Sequence, residues 1–100
     1  MGAIPFLFQI EPENGRYVGA YIKHLRTGLS MTQPQLAFES GYSVVTISRI
    51  ETGKANALGV AGRDILSKLA KMYGFNDASD LLDDYSSFVT SEDIIFEPLQ

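Results

Sequence analysis

The spacing of apolar residues divides the chain into segments of different period. Phe6, Phe8 and Ile10 alternate with Leu7 and Gln9 between Pro5 and Pro12, a period-2 pattern that predicts a short strand. After a turn-rich break over residues 11–15, Tyr17, Val18, Tyr21, Ile22 and Leu25 recur at helical spacing up to Gly28, which predicts a first helix. Thr32 is placed to cap a second helix, with Pro34 in its first turn and Leu36 and Ala37 as its apolar face. Gly41 ends that helix, and Ser43 caps a third that runs from about Val44 to Thr52. Residues 55–62 read as a loop. Arg63 to Tyr73 forms a fourth helix, closed by Gly74, with Ile65, Leu66, Leu69 and Met72 on one face. Asn76 or Asp77 then caps a fifth helix with the stripe Leu81, Leu82 and Tyr85. Ile94 to Glu97, before Pro98, predicts a second short strand. The expected fold is mainly α, a five-helix bundle over 16–86 with short terminal β-strands in an N-terminal arm (1–15) and a C-terminal tail (87–100).

Residues 32–54 are the most informative stretch, because two short helices joined by a tight turn make a helix-turn-helix signature. At about 100° per residue, Ile47 and Ile50 of the third helix point one way, Val45 and Arg49 point the opposite way, and Thr46 and Ser48 flank them. An arginine, two hydroxyls and a valine on one side of a short helix suit a DNA major groove, where arginine reads guanine and a methyl-bearing chain meets thymine. The same face is equally compatible with a solvated surface carrying one valine.

Charge bears on that choice. The net charge of −4 and pI near 4.7 oppose phosphate binding when taken as totals. The distribution does not. All eight Lys and Arg lie between Arg16 and Lys71, where only Glu39, Glu51 and Asp64 oppose them, a net of +5, and the other nine acidic residues leave the two ends at −9. A basic middle favours a phosphate-facing surface on the helical part, and the acidic total predicts weak non-specific binding.

Length and chemistry narrow the remaining classes. One hundred residues with 45% hydrophobic content suffice for one core. The absence of cysteine removes disulfides and thiolate metal sites and fits a cytoplasmic location. The N-terminal MGAIPFLFQI has no basic start and is too short for a signal core, and no run reaches transmembrane length. His24 is the only histidine, so the usual nucleophile–base pairs and zinc sets cannot be assembled. Gly53-Lys54 and Gly59 to Gly62 do not form a phosphate-cradling loop, and Asp77, Asp80, Asp83 and Asp84 lack the central glycine of a calcium loop. No enzyme activity, cofactor or metal is expected.

Gln33, Leu36-Ala37, Gly41, Ser43, Ile47-Ser48-Arg49-Ile50-Glu51 and Gly53-Lys54 stand at the spacings of the phage-repressor/Cro type of helix-turn-helix, and the segment from about Tyr17 to Leu82 resembles this XRE family. The resemblance implies a sequence-specific, repressor-like transcriptional regulator that binds a two-fold site on double-stranded DNA as a homodimer, with the third helix in the major groove. It further implies base-proximal positions for Val44, Val45, Thr46, Ser48 and Arg49, and backbone phosphate positions for Gln33, Ser43, Thr52, Lys54 and Asn56. A partly buried ion pair between Arg26 and Glu51 is implied as a structural element. Many relatives carry Gln or Arg where this chain has Val44-Val45, so direct readout here leans on Arg49 and thymine methyl contacts. The alternative function is an interaction module of antitoxin or anti-repressor type, in which the valine-bearing face or the acidic ends bind a toxin or another regulator.

The helical core accounts for its own apolar faces, which leaves Phe6, Phe8, Ile10, Ile94 and Phe96 as surplus large apolar residues. Strand pairing through these would satisfy exposed edges and supply a dimer surface, and packing within one chain is the alternative.

Overall fold

A computed structural model describes residues 15–89. The predicted terminal strands, and with them Phe6, Phe8, Ile10, Ile94 and Phe96, lie outside the described residues. Within them the structure is helical: α1 (Gly15–Gly28), α2 (Gln33–Ser40), α3 (Val44–Glu51), α4 (Val60–Met72), a 3-10 turn (Ala78–Leu81) and α5 (Leu82–Val89).

The limits of α2 and α3 follow from their caps. Thr32 accepts the Gln35 N–H and the Gln35 side chain accepts the Thr32 N–H at 2.7 Å, so both partners of a capping box are present. Gly41 then takes φ 80 and donates to the Ala37 carbonyl at 2.9 Å, the left-handed turn that a Cβ disfavours. Ser43 caps α3 by accepting the Thr46 N–H at 3.1 Å. The two helices are thus set by residues within a few positions of their ends.

α4 begins at Val60, three residues before the predicted start at Arg63, and takes in part of the expected loop. Gly62 belongs to the helix and is buried, and a Cβ there would lie 1.8 Å from the Ala57 carbonyl oxygen. Close packing, rather than a turn, requires that glycine. α1 ends at Gly28 as predicted, yet the left-handed residue is Ser30 (φ 57), and the space beside Gly28 is filled by the Tyr73 hydroxyl, which donates to the Leu25 carbonyl at 2.7 Å. Ahead of α5, the Asp80 carboxylate accepts the N–H groups of Asn76 and Asp77 at 3.1 and 3.3 Å, while Asp77 accepts from the Ser79 N–H and hydroxyl. These bonds from Ser79 hold the Asp77 carboxyl below the usual carboxylate range.

Tyr21, Ile22, Leu36, Ile47, Ile50, Ile65, Leu66, Leu69 and Leu81 are fully buried and form one core shared by all the helical elements except α5, which adds Tyr85. Each such side chain contributes about 1.5–3 kcal/mol relative to exposure. α1 is the centre of this packing. Gly19 and Arg26, two turns apart on one side of it, meet α3, where a Cβ on Gly19 would stand 2.0 Å from the Ile50 carbonyl oxygen. Tyr21 and His24, on the opposite side, meet α5: Tyr21 donates to Asp84 at 2.6 Å, its ring lies 5.3 Å from those of both Tyr85 and Phe88, and His24 lies 4.9 Å from Phe88. The acidic residues of α5 are therefore held across α1 from α3.

Candidate nucleic-acid interface

α3 has only eight residues, and its two faces separate sharply. Ile47 and Ile50 are 0% and 1% exposed, whereas Val45 is 65% exposed, Val44 is 39% exposed, and Arg49 is exposed. Thr46 and Ser48 are half-buried at the flanks. The structure brings these five sequence-predicted residues onto one outward surface. Among the described residues no carboxylate pairs with Arg49, so its guanidinium keeps its donors for an external acceptor.

The C-terminal end of α3 is anchored from inside. Arg26 Nε donates to Glu51 Oε2 at 2.7 Å, Arg26 Nη2 donates to Oε1 at 3.0 Å, and Nη1 donates to the Met31 carbonyl at 2.7 Å. Both partners are buried, and this two-pronged geometry satisfies the charges that burial would otherwise strand. Arg26 and Glu51 thus stand as the expected ion pair, with Met31 as a third member. Because Glu51 is neutralised internally, it does not offset the positive charge outside.

Residues read as phosphate-proximal fall into two groups. Lys54 and Asn56 are exposed just beyond α3, where the Ala55 N–H returns to the Arg49 carbonyl at 2.9 Å and holds the loop against the helix. The Asn56 side-chain oxygen accepts the Leu58 N–H at 2.9 Å, which leaves its amide donors outward. Ser43, Thr52 and Gln33 are instead engaged within the fold. The Ser43 hydroxyl caps α3 and donates to Thr46 Oγ1 at 3.0 Å, and Thr52 Oγ1 donates to the Ser48 carbonyl at 2.9 Å. Gln33, half-buried at the start of α2, donates from Nε2 to Glu51 Oε1 at 3.1 Å.

Sequence reading missed three supports of this surface. The threonine-x-x-glutamine spacing of Thr32 and Gln35 would have revealed the capping box. Tyr42, in the turn between α2 and α3, donates to Asp64 of α4 at 2.5 Å and ties the turn to the bundle; nothing in the local sequence signals it. The bond from Gln33 to Glu51 spans 18 positions and is equally invisible to a local reading.

Two helices joined by a left-handed glycine turn, the second with a buried inner face and an open outer one, define a helix-turn-helix domain, a DNA-binding class. A family model described as a helix-turn-helix domain matches residues 18–82, well over half of the chain, and the chain belongs to that family. No curated protein and no solved structure matches it. Among the described residues no helix is long and apolar enough to cross a membrane, and no group of three or more His, Cys, Asp or Glu side chains could hold a metal ion.

Proposed function

We propose that the protein is a sequence-specific transcriptional regulator of repressor type, related to the XRE family, that works in the cytoplasm and binds a two-fold operator as a homodimer with α3 in the major groove. The observation that carries this reading is the outward face of α3, with Arg49 unpaired among the described residues and Val44 and Val45 exposed, on a helix whose C-terminal end is clamped by a buried ion pair. Arg49 reads a guanine edge, the valines meet thymine methyl groups, and Thr46 and Ser48 flank the contact. Lys54 and Asn56 lie along the phosphates with Gln33, Ser43 and Thr52, which fix register rather than sequence.

Two copies on a two-fold site would double the phosphate contacts available to a chain of net charge −4. The terminal segments with Phe6, Phe8, Ile10, Ile94 and Phe96 supply the apolar surface for that pairing. Selection of bound fragments from a random DNA pool at low salt tests the whole reading: an enriched palindrome is the expected result, and no enrichment overturns it. Sedimentation of the full chain tests the dimer, which a purely monomeric species would refute.

A second reading has its own support. Phe38, on the outer face of α2, is 85% exposed and borders an apolar groove with Met31, Pro34 and Met72. Such a patch favours a protein contact of the kind an antitoxin or anti-repressor makes. Failure of the DNA selection would make this the leading function.

A further inference from the structure

The outward face of α3, made by Val44, Val45, Thr46, Ser48 and Arg49, holds no carboxylate to accept from cytosine N4 and no amide to pair with adenine. Thr46 Oγ1 already accepts from the Ser43 hydroxyl at 3.0 Å. What the face offers is a guanidinium unpaired among the described residues and, one turn before it, a valine that is 65% exposed. Residues four apart on a helix stand one above the other, with Cβ atoms about 5–6 Å apart. Bases follow one another at about 3.4 Å along a strand. Val45 and Arg49 therefore meet base edges within two positions of each other.

We infer that Val45 makes the protein a reader of cytosine methylation: within two base pairs of the guanine met by Arg49 it takes 5-methylcytosine in preference to cytosine, so that methylation of the site raises affinity. This rests on the DNA-binding reading above and adds to it. Valine in a helix holds one χ1 rotamer about 90% of the time, so its methyl groups are in place before contact and lose little freedom on binding. It has no hydrogen-bonding group, and so does not distinguish the thymine O4 acceptor from the cytosine N4–H2 donor. The substituent at C5 is what it senses. Thymine and 5-methylcytosine present the same methyl there, whereas cytosine and uracil present a hydrogen. Ser43 holds the N-terminal end of α3 and the Arg26–Glu51 pair holds the C-terminal end, which fixes how far Val45 reaches and leaves a gap where the methyl is absent.

The test measures binding of the full chain, by fluorescence anisotropy, to a duplex selected from a random pool and to altered copies of it. Each thymine in one half of the site is replaced in turn by deoxyuridine, which removes only the methyl. At the position that loses most, the pair is changed to cytosine–guanine with and without the C5 methyl. Burial of one carbon changes affinity about fourfold. Uridine is therefore expected to weaken binding by about fourfold, and the methylated cytosine to bind about fourfold more tightly than the unmethylated one. Val45→Ser is expected to bring both ratios within about twofold of unity, the scatter of independent contacts. Circular dichroism checks that V45S is folded, and if it is not, the base changes decide alone. The inference is overturned by a site in which no uridine costs more than about twofold, by a methyl-sensitive position farther than two base pairs from every guanine, by equal binding of the two cytosines, or by an unchanged methyl ratio in V45S. A wild-type chain that does not distinguish the selected duplex from a scrambled one overturns the DNA reading itself, and is detected before any base is changed.

Discussion

Replacing Glu51 with alanine removes the acceptor of two Arg26 hydrogen bonds, at 2.7 and 3.0 Å, and of the Gln33 bond at 3.1 Å. Arg26 is left with the Met31 carbonyl and no counter-charge, in a position where it is 8% exposed. Breaking a buried pair by deleting one partner costs roughly 3–5 kcal/mol, most of it the penalty of the stranded charge. A domain of this size loses about 4–8 °C in melting temperature per kcal/mol, so the E51A midpoint should fall by roughly 12 °C or more. Glu39, exposed on α2, is the control, and E39A should change stability by no more than about 0.5 kcal/mol. Replacing both partners, as in R26M/E51L, leaves no unpaired charge and should recover much of the loss. Calorimetry of the four full-length chains at neutral pH measures all of this. Equal small shifts for E51A and E39A, or a double variant no more stable than E51A, would refute the reasoning.

On the proposed DNA-binding reading, Arg49→Ala should leave the melting temperature unchanged and weaken operator binding by roughly 1–3 kcal/mol, read by electrophoretic shift, because the exposed guanidinium is the one cationic group on the outward face of α3. Lys54→Ala should reduce affinity evenly across sequences and lower the salt slope by about one unit; a base-selective effect would contradict a phosphate role. Burial, with the Asp84 carboxylate as hydrogen-bond partner, pushes the Tyr21 hydroxyl far above the ordinary value of 10.0, and burial pushes Tyr85 up to about 12. The folded chain thus favours the protonated phenols, so their contribution is complete below pH 10, the unfolded value, and is lost progressively above it, through 12 for Tyr85 and at still higher pH for Tyr21. The urea midpoint should drop over that window, and the drop should be smaller in Tyr21→Phe. Gly19→Ala should destabilise by roughly 1–3 kcal/mol in thermal melts despite the higher helix propensity of alanine, since its Cβ would meet the Ile50 carbonyl.

The sequence alone was sufficient wherever the determining interactions are local. Thr32, Pro34, Gly41 and Ser43 act within one helical turn of the boundaries they set, so α2, α3 and the turn between them are legible residue by residue. Periodicity likewise separates Ile47 and Ile50 from Val45 and Arg49, because a helix turns by a constant angle whatever surrounds it. The pairing of Arg26 with Glu51 was legible through family resemblance, since no local rule joins residues 25 positions apart. What tertiary structure decided depends on which surfaces meet. Gly62 read as a loop residue, yet a glycine is needed there because the Ala57 backbone carbonyl occupies the space of a side chain, and Gly28, read only as a helix stop, also faces the Tyr73 hydroxyl. Gly19 gave no signal at all until α3 was laid against it. The bond from Tyr21 to Asp84 joins positions 63 apart, and the one from Gln33 to Glu51, 18 apart, ties the start of α2 to the end of α3. A glycine's spacing in sequence does not distinguish a turn from a close approach, and an amide's chemistry does not name its partner within the fold; both are decided when the helices pack.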